Sequence, residues 1–171
     1  MSKSLLSLLL LTLSLLWSVT AAAQAKTVTP PYDDPKAVFE FYLDDPAKLG
    51  SALYWVRSYM NPLMDEPYNL APEFMNTVIV IHGTEIVALA KNNYPRYRDE
   101  VERLRYYATL GVRIRVCSLA MQDFGYTAAD LPDFAELVPS AMADLVYWQQ
   151  QGYGLVKPEI LEKHFSVEEI R

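Results

Sequence analysis

Two rhythms of apolar residues alternate along the chain. "KAVFEFYL" (36–43), "TVIVIHG" (77–83) and "VRIRVC" (112–117) are short runs rich in β-branched and aromatic residues, and each has the length of a strand. The second is continuously apolar, as a strand covered on both faces would be. "AELV" (135–138) and "YGLVKP" (153–158) add two more strand-like runs. Between them the apolar period lengthens to three or four. Leu49, Leu53, Val56 and Met60 mark a first helix, with Asp45 placed to cap it and Pro46 in its first turn. Tyr97, Val101, Leu104 and Ala108 stripe a second helix, which Pro95 opens and Gly111 closes. Asp99 and Arg103 on that helix are spaced to pair at i,i+4.

"TEIVALAKN" predicts a short helix with Thr84 as cap, "SLAMQDFG" another, and "YTAADLPDF" a turn or helical stub. "SAMADLVYWQQQ" predicts a helix capped by Ser140 and ended by Gly152, with Met142, Leu145, Val146 and Gln149 tracing its face. Pro62, Pro67 and Pro72 crowd residues 61–75 and predict a long loop, which serves either as a lid or interface arm or as a plain connection. Strand and helix thus alternate, which argues for a single α/β domain: a three-layer sandwich around a mainly parallel five-stranded sheet. The segment 159–171 is a helical or frayed tail.

The N-terminus has a different pattern. Lys3 precedes "LLSLLLLTLSLLW" (5–17), and "SVTAAAQA" (18–25) supplies the small residues that signal peptidase accepts. The apolar core is short for a membrane span, which needs about 20 residues. Residues 1–23 therefore predict a secretory signal peptide, cleaved after Ala23 or Ala25, and a periplasmic protein with no membrane segment after cleavage. The remaining 148 or 146 residues of the 171 suit one core. Loss of Lys3 takes the formal charge from −6 to −7. An acidic chain whose arginines (Arg96, Arg98, Arg103, Arg105) are interspersed with Asp99, Glu100 and Glu102 is a poor nucleic-acid binder.

Cysteine then sharpens the picture. The single Cys117 excludes an internal disulfide. It ends the third strand, just as His82 ends the second. In an open parallel sheet, ligands collect at the carboxyl ends of the strands, so both side chains belong to one rim. The helix that starts after Cys117 offers backbone N–H groups to a thiolate. Alternation along "VRIRVC" places Arg113 and Arg115 on the cysteine's face, where they would favour the anion. The competing reading is a buried, inert thiol acting as a small apolar residue. His82 is read either as a packed residue or as a base or ligand in the pocket. No Gly-rich nucleotide loop, nucleophile elbow or metal-ligand spacing is present, so no cofactor or metal is expected. Tyr54, Trp55, Tyr59, Tyr106, Tyr107, Tyr147 and Trp148 supply many aromatics of the kind enriched at interfaces, which points to a homo-oligomer.

Four segments together resemble the DsrE/DsrF-like sulfur-relay family. "VRIRVCSLAMQDFGYTAADL" (112–131) is similar to its cysteine segment, through Cys117, Met121, Gly125, Thr127, Asp130 and Leu131. "VIVIHG" (78–83), "DDPAKLGSALYWV" (44–56) and "LVYWQQQGYGLVKP" (145–158) are similar to its second strand, opening helix and closing helix and strand. The resemblance covers roughly residues 35–158. It implies a compact α/β sandwich assembled as trimers or hexamers. It also implies that Cys117 accepts and hands on sulfane sulfur as a persulfide, with His82, Gly83, Ser118 and Met121 as pocket residues and an unidentified donor and acceptor. A non-catalytic oligomeric module that binds a small ligand or a protein partner is the alternative of a different class.

Overall fold

In a computed structural model of the chain, residues 24–171 are described. The predicted signal peptide, residues 1–23, lies outside them. Of the two compact units, Met1–Pro31 and Tyr32–Arg171, the first carries no regular secondary structure over its described residues, 24–31. The second holds every strand and helix described below.

Five strands form one sheet: β1 (Ala37–Phe41), β2 (Thr77–Ile81), β3 (Arg113–Cys117), β4 (Ala135–Val138) and β5 (Gly154–Val156). Their order is β4-β3-β2-β1-β5, and every neighbouring pair is parallel. The helices between them are α1 (Leu49–Met64), α2 (Ile86–Leu89), α3 (Arg98–Thr109), α4 (Ser118–Asp123) and α5 (Ala141–Gln150), with α6 (Val167–Ile170) in the tail. The sandwich has three layers because strand residues alternate between two cores. Phe39, Phe41, Ile79, Ile81, Ile114 and Val116 join Leu53, Val56 and Leu104 of α1 and α3 on one face. Val38, Val78, Val80 and Cys117 join Ala141, Leu145 and Trp148 of α5 on the other. The α/β sandwich around a five-stranded sheet is the one the alternation of periods predicted, and the sheet, expected to be mainly parallel, is parallel throughout.

Several local expectations are corrected. Helix α1 runs through Pro62 to Met64, four residues into the predicted loop. A proline near the last turn forfeits one backbone bond there, and Leu53, Val56, Met60 and Leu63 still anchor the buried stripe. Asp45 does cap, accepting from Ala47 N at 2.8 Å, but it caps the 3₁₀ turn Pro46–Lys48 that leads into α1. Thr84 is not a helix cap, because its hydroxyl donates to Leu43 O at 3.0 Å. Helix α3 begins at Arg98, three residues after Pro95, and Arg103 donates to Gly50 O rather than pairing with Asp99.

The buried face of α5 is Ala141, Asp144, Leu145 and Trp148, while Met142 and Val146 are half exposed. The apolar pattern misplaced this face because a charged residue lies at its centre. Asp144 accepts from Trp148 Nε1 at 3.0 Å and from Arg115 Nη2 at 3.3 Å, so burial leaves its carboxylate satisfied. Gly111 (φ 87°) and Gly152 (φ 86°) end α3 and α5 in the left-handed conformation, as expected.

Candidate functional site

The register of the sheet arranges the rim. Ile81 pairs with Val116, Phe41 with Ile81 and Phe39 with Val156. One step further along each strand lie His82, Cys117 and Lys157, level with Glu40 across the β1–β5 pair. Alternation puts Glu40, His82 and Cys117 on the α5 face, since Phe39, Phe41, Ile81 and Val116 all belong to the opposite core. A polar row thus crosses the carboxyl ends of four strands in the order Lys157, Glu40, His82, Cys117.

Its contacts run from one end. Lys157 Nζ lies 3.4 Å from Glu40 Oε2. His82 Nε2 donates to Glu40 Oε1 at 3.1 Å, with both side chains nearly buried. The imidazole stacks on Tyr42, centroid to centroid 4.8 Å at 13°. An imidazole with one nitrogen committed to a carboxylate and one ring face to a phenol is held in a single orientation.

Behind His82 the backbone is locked. Glu85 is fully buried and bridges two loops: Oε1 accepts from Gly83 N at 2.9 Å and Oε2 from Leu43 N at 3.0 Å. Burial pushes its carboxyl above the ordinary glutamate value, against the pull of those two N–H groups. Gly83 sits inside this clasp. A Cβ there would lie 2.4 Å from Leu43 N and 2.5 Å from Glu85 Oε2, so only glycine lets the loops after β1 and β2 close on each other. These loops form one wall of a cleft of about 390 Å³, lined by Tyr42, Asp44, His82 and Thr84 and, across from them, by Ala120 and Phe124 of the segment that follows Cys117.

The predicted site residues separate accordingly. His82 and Gly83 line the cleft. Cys117 ends β3 beside it but is 5 % exposed, packed in the α5-side core. Ser118 is the first residue of α4 and is half-buried, and Met121 is buried in the larger core. Arg113 and Arg115 do share the face of Cys117. Their guanidinium groups lie 5.2 and 5.6 Å from the Trp148 ring centroid, and Arg115 also pairs with Asp144 and Glu136. They clamp α5 to the sheet.

Sequence reasoning missed Glu40, Tyr42, Glu85 and Lys157. A signal existed for two of them. Glu40 is the one charge inside "AVFEF", and Glu85 stands between the apolar runs "TVIVI" and "IVALA". A charge in such a place needs a built partner.

A five-stranded parallel α/β sandwich with its one thiol at a strand end defines the class. The family model described as "DsrE/DsrF-like family" matches residues 36–158, and the chain belongs to that family. Among solved structures, a protein of unknown function from Methanobacterium thermoautotrophicum, MTH1491, is 22 % identical with a TM-score of 0.55. The match covers 73 % of this chain and 100 % of that one, and it supports the shared fold. No curated protein matches the chain.

Proposed function

We propose that this protein is a periplasmic sulfur carrier whose Cys117 holds sulfane sulfur as a persulfide. The observation that carries the reading is the position of the only cysteine: the last residue of β3, one register step from His82, at the head of α4, in a chain of a family associated with sulfur relay. In the transfer step the Cys117 thiolate attacks the outer sulfur of a donor R–S–SH. The donor S–S bond breaks, the new bond to Cys117 Sγ forms, and the electron pair leaves on R–S⁻. The proton on the moved sulfur stays with it, so no oxidant is consumed. Attack by an acceptor thiolate on the outer sulfur of the Cys117 persulfide follows the same route: the S–S bond breaks, the electron pair returns to Cys117 Sγ, and the sulfur is delivered. The cleft beside His82 is the approach for the donor, and the Glu40-bound imidazole provides a fixed polar wall there.

The export reading rests on Lys3 and the Leu-rich stretch before Ala23. A homo-oligomer, trimer or hexamer, is supported by exposed apolar side chains on and beside α4 and α5, namely Leu119, Phe124, Met142 and Val146.

The test is intact mass after incubation with a polysulfide donor. The wild type gains about 32 Da, one sulfur, and Cys117→Ser gains nothing. Absence of the adduct across donors and pH sinks the reading. The burial of Cys117 favours a second reading, a non-catalytic binding module. On that reading the native thiol reacts with iodoacetamide only as fast as the protein unfolds. A native-state rate well above the unfolding rate excludes it.

A further inference from the structure

A second concavity lies away from the cysteine rim. It is a groove of about 770 Å³ between α1, α3 and the start of the tail, within the size range of ligand pockets, about 300–1,000 Å³. Its walls carry three aromatic side chains that the core does not use: Tyr54 is 62 % exposed, Trp55 42 % and Tyr106 58 %. Arg57, Arg103 and Lys163 line the same groove against one acid, Glu159. None of the three cations is in an ion pair among the described residues, whereas Lys36, Lys48, Arg105, Arg115 and Lys157 each have a carboxylate partner. In a chain of formal charge −6, unpaired cations gathered over exposed rings form a locally positive site.

Both arginines line the groove together with Tyr107. Burial raises the pKa of Tyr107, and the positive charges of Arg103 and Arg57 oppose that rise. Arg103 is tethered to Gly50 O at 3.3 Å, and Glu100 Oε1 comes near the same end. Arg57, whose guanidinium lies 5.9 Å from the Tyr54 ring centroid, forms no ion pair among the described residues.

From this arrangement we infer that the α1–α3 groove is a binding site for a planar aromatic oxyanion, a ring bearing a carboxylate, sulfonate or phosphate. The ring stacks among Tyr54, Trp55 and Tyr106, and the anion meets the guanidinium fork of Arg57. An aliphatic anion lacks the stacking surface, and an aromatic cation meets the arginines with the wrong sign. The site is independent of Cys117 and does not rest on persulfide chemistry.

The probe is naphthalene-2-sulfonate, titrated into residues 24–171, which hold every strand and helix described, while the indole N–H resonances of Trp55 and Trp148 are followed by NMR. The inference expects a saturable shift of Trp55, no shift of buried Trp148, and Kd below about 1 mM. Arg57→Gln weakens binding about tenfold. Both it and Tyr106→Ser alter exposed side chains, so the fold persists for the comparison. Methanesulfonate and 2-naphthylmethylammonium bind at least about tenfold more weakly. The inference is overturned by an unsaturated or absent Trp55 shift at about 10 mM probe, or by equal binding of the cationic isostere. It is overturned equally if the Trp55 shift follows protein concentration and molecular mass rather than probe, since the groove would then join copies of the chain.

Discussion

Substituting Gly83 tests how the wall of the cleft is held. In Gly83→Ala the new methyl would lie 2.4 Å from Leu43 N, 2.7 Å from Leu43 O and 2.5 Å from Glu85 Oε2. Two of those atoms are backbone, so the strain is not relieved by a rotamer change. To reach ordinary contact the loops after β1 and β2 must part by about 1 Å. Three hydrogen bonds span that gap: Thr84 N and Thr84 Oγ1 to Leu43 O, each 3.0 Å, and Leu43 N to Glu85 Oε2, also 3.0 Å. A neutral hydrogen bond contributes about 1 kcal/mol net and one to a charged group about 1.5–3 kcal/mol. Because Glu85 is fully buried, water cannot replace the lost donor. The expected loss is about 3–5 kcal/mol, a large part of the 5–15 kcal/mol by which domains are typically stable.

Urea unfolding followed by circular dichroism measures this loss, with Gly125→Ala as the control. Gly125 has φ 75°, and a methyl group added there would meet nothing within 4 Å, so its substitution costs backbone strain alone, about 1–2 kcal/mol. If Gly83→Ala costs no more than Gly125→Ala, at unchanged m-value, the clasp does not hold the wall and the reasoning is wrong.

Three further outcomes follow from the same contacts. Glu85 has a folded-state pKa raised above its ordinary 4.5, so the native state binds the extra proton. Its contribution is therefore fully present below 4.5 and is lost as pH rises through the raised value. The difference in stability between wild type and Glu85→Gln, measured by urea titration, should shrink as pH rises over that window, and a pH-independent difference refutes it. Asp144→Ala leaves Trp148 Nε1 and Arg115 without their buried acceptor and should cost about 2–4 kcal/mol, whereas Asp133→Ala, on an exposed pair with Arg105, should cost under about 1 kcal/mol. His82→Ala should leave the Cys117 adduct mass intact while slowing its appearance, read by timed mass spectrometry. Unchanged kinetics would show the imidazole to be a wall of the cleft and nothing more.

The elements of this fold were legible because the strands are buried on both faces and the helices on one. Val, Ile and Phe at period two or in continuous runs leave few other assignments, and Gly111 and Gly152 mark helix ends through a conformation other residues avoid. Parity along "VRIRVC" placed Arg113, Arg115 and Cys117 on one face, and the sheet bears this out. What parity cannot supply is a partner. The arginines read as neighbours of the thiol, yet their charges are engaged by Asp144, Glu136 and the Trp148 ring. The face of α5 was misassigned for the same reason: a buried aspartate looks like a surface residue until the tertiary donor that satisfies it is known. Glu40 and Glu85 likewise have partners about 42 residues away in sequence, so local pattern carries no trace of them.

Those buried acids give the rim beside the sunken thiol a fixed wall. A parallel sheet delivers every strand end to one edge, but it does not fix side chains there, because the loops beyond the last ladder bond are free to vary. Here the loops are fixed by hydrogen bonds, several of them to buried acids, in addition to the apolar packing of Leu43. Glu85 ties the loop after β1 to the loop after β2, and Glu40 ties the ends of β2 and β5 to the end of β1 through His82 and Lys157. The half of the rim made by β5, β1 and β2 is therefore rigid. The other half, α4 with the loop after it, meets the cleft through Ala120 and Phe124, and Phe124 is 39 % exposed. If Cys117 is to meet a donor, the cover that moves is α4, a six-residue helix, and the clasped loops stay in place. Hydrogen exchange separates the two halves. Amides of Gly83 and Leu43 should exchange only with global unfolding, and those of α4 at a lower opening free energy. Equal protection of both halves would mean that the thiol is sealed in.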